Sequence, residues 1–397
     1  MENPRVRWIE AHPFVQDGQE LILLRDMEGI TEQALAVSRK IAYMISLMDG
    51  TRTVRDIQID FMRTAGELVY IEKIQELVDT LDTHLFLLND NYRCRFEKMK
   101  GDYEKSPVRK AHLAGRSYPA NRMDLLSFLD ESLGTGKDQG IDGEITGLIA
   151  PHIDYARGMS VYGQTYPYLK HFQKPLIVIF GTCHHPTDGI LSISLKDFET
   201  PLEVIPHAKE LGRLIRDDNV LKRYIDEWPH RGEHSIELQL PLIQFMVQHD
   251  YEILPILTGS MHEYIAGDKN ISNGQIDEIT SSLKQVLESH GKPFIVLSGA
   301  DLAHIGEQFG DPPPLDETTL ARSRSQDKII LQSVENVDAE GFFNAIKEER
   351  DERRICGLTP IFFQLKLLHG SHCKIVGYDQ WYDGKSSVSF AGGIFYT

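Results

Sequence analysis

Several polar side chains in the C-terminal part of this sequence have the types and settings that chemistry at a metal requires. The apolar run ITGLIA (145–150) leads into PHIDY, which sets His152 just beyond it. PLIVIFG (175–181) leads into TCHHP, with Cys183, His184 and His185, and PFIVLSG (293–299) leads into ADLAH, with Asp301 and His304. Each run has the length and composition of a buried strand. In open α/β sheets the carboxyl ends of parallel strands form the ligand crevice, so three such ends deliver imidazoles to one rim. One strand-end His means little; three in one domain are hard to ascribe to packing. EHSIELQLP places His234 at the start of a helix, and RRICG places Cys356 immediately before another. A helix N-terminus opposes imidazole protonation and favours thiolate, which predicts a neutral His234 fit for acid–base work and an ionisable Cys356.

Neutral imidazoles with a thiolate suit Zn²⁺ or Fe²⁺, whereas Mg²⁺ and Ca²⁺ prefer oxygen. Three protein ligands leave positions open for water or substrate, and the remaining His and Asp would orient ligands or shuttle protons. Each residue also has a plainer reading. An extended chain points His184 and His185 opposite ways, so one of them reaches the rim, with His184 preferred. Cys183 reads as a small buried residue, and Asp301 reads equally well as a cap. His304 shares a face with Asp301 only if a helical turn forms there. His207, His230, His249, His262, His290, His369 and His372 lie in polar or loop surroundings and are given no role.

The elements that must position these groups alternate. Apolar strands at 145–150, 175–181, 251–259 and 293–299 are interleaved with helical stretches at 122–134, 206–216, 235–248, 275–289, 316–333 and 357–368. CKIVGYDQWY and SVSFAGGIFYT read as closing strands. This alternation predicts an α/β domain over 109–397 with a mainly parallel sheet. Residues 1–108 read differently. Helices are expected over 31–50, 51–65 and 69–84, then a hairpin at 85–96 around Asn-Asp-Asn, giving a small winged-helix-like domain. EKMKGDYEKSPVRK, charged and without apolar period, reads as the linker near 97–110.

With 42 Lys+Arg against 59 Asp+Glu, the formal net charge of −17 repels phosphate backbones and argues against nucleic acid as a partner. No apolar stretch approaches the roughly 18 residues of a membrane helix, so no membrane partner is expected. Four cysteines without CxxC spacing, and no secretory start, predict a cytoplasmic, reducing location.

Two resemblances extend these readings. SLMDGTRTV (46–54) and the ending LVDTLDTHLFLL resemble the PqqD-like family over roughly residues 20–95, which implies a peptide- or partner-recognition domain in a modification system run by radical enzymes. AGRSYPANRMDLLSFLDESL (114–133), IAPHIDY, GTCHHP, EHSIELQLP, SGADLAH, ICG and SVSFAGG, in that order, resemble the Memo family, protein B of the AmmeMemoRadiSam system. That resemblance implies a fold like the class III nonhaem-iron extradiol dioxygenases. It also implies a pocket whose metal ligands are His152, His184 and Cys356, with His234, Asp301 and His304 as catalytic pocket groups. The Cys stands where those dioxygenases use a carboxylate. Ile153-Asp154 replaces the small pair of eukaryotic members, and Cys183 replaces a Ser, so Asp154 and Cys183 become possible extra donors. The resulting expectation is a metal-dependent redox or oxygenase-type protein using iron or zinc on a small-molecule or peptide ligand in a radical-enzyme-linked pathway. A non-catalytic peptide adaptor and a zinc-assisted hydrolase are the alternatives.

Overall fold

The computed structural model describes residues 2–26, 28–133, 141–185, 189–266 and 273–397. The chain divides into two compact units, Met1–Ser106 and Pro107–Thr397.

The first unit opens with a hairpin, β1 (Glu10–Gln16) and β2 (Gln19–Arg25), turned at Asp17-Gly18 with both residues at positive φ. Asp-Gly between two extended runs is a strong signal for such a turn. β3 (Leu35–Ser38) adds to β2, and Ser38 then caps α1 (Arg39–Ser46). The helix expected over 31–50 is therefore a strand followed by a helix, because the unforeseen β2 offers Leu35–Ser38 a partner. α2 (Val54–Ala65) starts in a capping box of Thr53 and Asp56 and stops at left-handed Gly66; α3 (Ile71–Thr83) follows. The hairpin expected at 85–96 does not form. Asn89 accepts a hydrogen bond from the Tyr92 amide and caps α4 (Asp90–Lys105), so Asn-Asp-Asn starts a helix and most of the expected linker is helical. Ile57, Ile74, Leu81, Phe86 and Leu87 form a core of this unit's own.

The second unit runs β4 (Val108–Arg109), α5 (Arg122–Leu133), β5 (Ile145–Ala150), α6 (Tyr155–Thr165), β6 (Leu176–Thr182), β7 (Leu191–Ile193), β8 (Asp197–Glu199) and β9 (Val204–Ile205). It continues through α7 (Lys209–Asp217), α8 (His234–Glu237), α9 (Gln239–Met246), β10 (Glu252–Thr258), α10 (His262–Ala266), α11 (Asn273–His290), β11 (Phe294–Gly299) and β12 (Asp301–Gly306). α12 (Glu317–Glu335), α13 (Ala339–Glu348), α14 (Leu358–Leu367), β13 (His372–Tyr382) and β14 (Ser386–Tyr396) complete it.

Its main sheet has the order β12-β14-β5-β11-β6-β10-β7, with β13 also paired to β14. β5, β11, β6 and β10 are mutually parallel, whereas β14, β12, β13 and β7 join antiparallel. The sheet is thus mixed, with a parallel centre, rather than mainly parallel. β14 follows β13 through a tight turn at 383–385, and a tight turn returns the chain antiparallel. Alternate residues of β6 go to opposite faces: Val178 and Phe180 pack with α7, α11, α13 and α14, while Ile177 and Ile179 pack with α5 and α9. Helices on both faces explain why all seven β6 residues are buried and why the run lacks polar alternation. Among the described residues no helix is long and apolar enough to cross a membrane.

Candidate metal centre

Register brings the site together. Ala150 of β5 lies opposite Gly299 of β11, and Gly299 lies opposite Gly181 of β6. Three neighbouring strands therefore end level, and the residues just beyond them share one edge. The two glycines are required there. A Cβ on Gly181 would lie 2.5 Å from Ser235 Oγ, and one on Gly299 would lie 2.5 Å from the Ser235 carbonyl oxygen. α8 thereby crosses closely over the strand ends and presents His234 to them. Ser235 Oγ fastens it by donating to the Thr182 carbonyl at 2.8 Å. The helix expected over 235–248 is interrupted at Leu238, and Pro241 falls in the first turn of α9, where its missing N–H costs nothing.

Ligand atoms of His152, His184 and Cys356 lie within 4.8 Å of one another, as do those of His184, Glu233 and His234, and those of Asp301, His304 and Cys356. The three groups overlap in one cluster. Cys356 Sγ is 3.3 Å from His152 Nε2. His152 Nδ1 faces the Gly299 carbonyl at 2.9 Å, so the proton sits on Nδ1 and the Nε2 lone pair faces the thiol. Burial pushes the His152 pKa down to about 4, against the partial pull of Asp301, which keeps the ring neutral. Ring centroids of His184 and His234 are 4.5 Å apart and nearly stacked, and His152 meets both edge-on.

Asp301 lies on β12, not in a helical turn. A register irregularity between Asp301 and His304 in the pairing with β14 lets both approach Cys356. Asp301 Oδ1 accepts from the amides of His152 (2.9 Å) and Ile153 (3.3 Å), and Oδ2 lies 3.7 Å from His152 Nε2. His304 turns Nδ1 toward the Leu302 carbonyl, and burial lowers its pKa.

Cys356 arrives on a loop held in an unusual shape: Arg350, Asp351 and Arg354 all have positive φ. Such conformations cost of order 1–3 kcal/mol each and persist where surroundings over-determine them. Here Arg354 pairs with Asp311 and donates to the His304 carbonyl, Arg353 pairs with Asp327 and Glu349, and the Ile355 amide donates to Asp351.

Two electrostatic expectations reverse. Burial and then Asp301 push the Cys356 thiol well above its usual range, so no thiolate forms by helix dipole alone. Burial lowers the His234 pKa, but Glu233 outweighs it and the net shift is upward, toward imidazolium. The dipole of a four-residue helix is small beside an adjacent carboxylate.

The extra donors do not join. Asp154 caps α6 and pairs with Arg157, and the buried Cys183 thiol, raised to about 12 mainly by burial, faces the His185 carbonyl. His185 supplies no ligand atom to the three groups; its Nε2 stands 3.9 Å from where a Gly232 Cβ would lie.

One functional residue escaped the sequence reading: Glu233. Its carboxylate is buried and contacts both His184 and His234. A Glu beside a helix-starting His was the available signal. Glu237 on the same helix was also missed. It is fully buried, pairs with Arg109 and Tyr118, and accepts from the amides of His112 and Leu113. A cleft of about 560 Å³, lined by Thr182, His184, Met261, Ile355, Cys356 and Leu358 among others, opens beside the cluster.

Together these features define an α/β protein with a histidine–cysteine centre at the carboxyl edge of its parallel strands. A family model described as Memo-like protein matches residues 109–394, and the chain belongs to the Memo family. A MEMO1 family protein of Aquifex aeolicus is 27% identical over 402 residues, covering 99% of this chain and all of that one. One from Desulfurococcus amylolyticus is 30% identical over 264 residues, covering 64% of this chain and 83% of its own. The crystal structure of an uncharacterized Escherichia coli K12 protein covers 63% of this chain and 99% of that one at 13% identity and a TM-score of 0.35, too distant to argue from.

Proposed function

We propose that this Memo-family chain binds one divalent transition metal, iron or zinc, through His152, His184 and Cys356, and performs redox or oxygenase-type chemistry on a small molecule or peptide at the open positions. The observation that carries the reading is the convergence of two imidazoles and a thiol from three separate segments within 4.8 Å. The residues fit the metal. His152 is neutral with its Nε2 lone pair turned to Cys356, His184 has Nδ1 engaged so that Nε2 remains, and a metal would draw the proton from Cys356. When bound, the ion supplies Lewis acidity and, if iron, one-electron redox capacity.

The protein's own groups then have distinct work. Asp301 and the Gly299 carbonyl hold His152, while His234 and His304 border the cluster as proton-handling groups. The adjoining cleft receives the substrate and limits water. Similarity of residues 20–95 to PqqD-like domains, and of the second unit to the AmmeMemoRadiSam protein, supports a place in a radical-enzyme-linked pathway with the first unit recognising a peptide. The fold similarity of the family to class III extradiol dioxygenases supports the oxygenase reading. The N₂S donor set suits zinc-assisted hydrolysis as well. Activity unchanged by strict anaerobiosis would select that second reading.

Metal analysis of protein purified without oxygen tests the site directly. Near-stoichiometric metal in the wild type and little in His152→Ala is expected. Equal, substoichiometric metal in both refutes it.

A further inference from the structure

We infer that Glu233 is a positioning residue for the metal centre: one buried carboxylate fixes the tautomer and orientation of both His184 and His234, turning their Nε2 atoms toward the metal position. The inference rests on the metal reading above and deepens it. Glu233 Oε1 lies 3.0 Å from His184 Nδ1 and 3.0 Å from His234 Nδ1. The same oxygen accepts from the amides of His234 (2.8 Å) and Ser235 (3.1 Å), and Oε2 accepts from the amide of His184 (2.8 Å). The side chain is 2% exposed.

A helix cap alone does not explain this residue. Ser, Thr, Asp and Asn are the favoured caps, and any of them would satisfy the first amides of α8. Glu is one methylene longer than Asp, and that reach lets it engage the segment after β6 at the same time. It joins His184, which follows β6, to His234, which begins α8, so two imidazoles from different elements depend on one anion. In the neutral ring an acceptor at Nδ1 forces the proton onto that nitrogen and leaves the lone pair on Nε2. Metal-bound histidines commonly give their other N–H to a carboxylate, and loss of such a partner typically weakens metal binding by about 10–100-fold. Here a single residue serves two rings. The close approach of His184, Glu233 and His234 is thus accounted for by hydrogen bonds and needs no second ion.

Two measurements on the full chain test the idea. In metal-free, ¹⁵N-histidine-labelled protein at about pH 8.5, where exposed histidines are neutral, long-range ¹H–¹⁵N spectra should show His184 protonated on Nδ1. An Nε2-protonated His184 overturns the proposal, whatever the metal does. Titration with Co²⁺, read by its d–d and thiolate charge-transfer bands, should then show Glu233→Gln binding about 10–100-fold more weakly than wild type. The sulfur band should persist and the circular dichroism should not change, with partial recovery in Glu233→Asp. Affinity of Glu233→Gln within about threefold of wild type overturns it. If the wild type binds no Co²⁺, the metal reading fails while the tautomer still decides the role of Glu233. If Glu233→Gln does not fold, the wild-type tautomer again decides.

Discussion

Replacing Arg109 with Met should destabilise the second unit sharply, because it strands a buried anion. Arg109 and Glu237 are both fully buried and joined through Nη1 and Oε2. Arg109 also donates to the carbonyls of His230 and Glu233, each at 2.9 Å. Breaking a buried pair by removing one partner costs about 3–5 kcal/mol, since the remaining charge loses its counterion without regaining water. Met fills a similar volume, so a cavity contributes little. For a unit the size of Pro107–Thr397 about 1.5–2 °C is lost per kcal/mol, which predicts a fall in Tm of roughly 5–10 °C. Glu237 still holds Tyr118 and two amides, so the double variant Arg109→Met/Glu237→Gln removes the stranded charge while keeping acceptors for some of them. It should recover about half of the loss in a double-mutant cycle read by urea unfolding. A cost for Arg109→Met under about 1 kcal/mol, or fully additive losses, would refute the reasoning. The Glu233 carbonyl is one of the acceptors left without its donor, so metal affinity should fall with stability.

Two further outcomes follow from other parts of the site's support. Burial pushes His230 down to about 3, whereas the unfolded chain takes up that proton near 6.5. The unfolded state therefore binds more protons between those values. The contribution is fully present above about pH 6.5, and lowering the pH from 7 to 5 should cost about 2 kcal/mol in urea unfolding. His230→Gln, which can still donate to the Ser192 carbonyl, should show a slope about one proton shallower; an unchanged slope contradicts the assignment. Gly299→Ala sets a methyl 2.5 Å from the Ser235 carbonyl and 2.8 Å from Gln239 Nε2. It should cost at least about 1–3 kcal/mol by overpacking and weaken metal binding with it, and wild-type stability and metal content together would count against α8 being seated on the strand ends.

The sequence by itself determined the centre of the sheet and the points where chemistry leaves it. Runs such as LIVIF carry no polar alternation, so they specify strands covered on both faces, and a His just past each run is placed by chain connectivity alone. The helix expected over 51–65 was equally legible, and the structure starts it at the Thr53 cap before α2. Tertiary structure decided the rest. Asn89 can open a turn or cap a helix, and Leu35–Ser38 can wind or pair; neither choice is local. The direction of β14 follows from the turn before it, and that antiparallel strand makes the sheet mixed and seats Asp301 and His304 on β12. The protonation of the cluster was least visible. Helix position suggested a neutral His234 and an ionised Cys356, yet Glu233, brought close only by folding, raises His234 against the effect of its burial, and burial with Asp301 raises the Cys356 thiol. Residue types fix what chemistry is possible, while distances and exclusion of water fix which charges exist, and those belong to the folded chain.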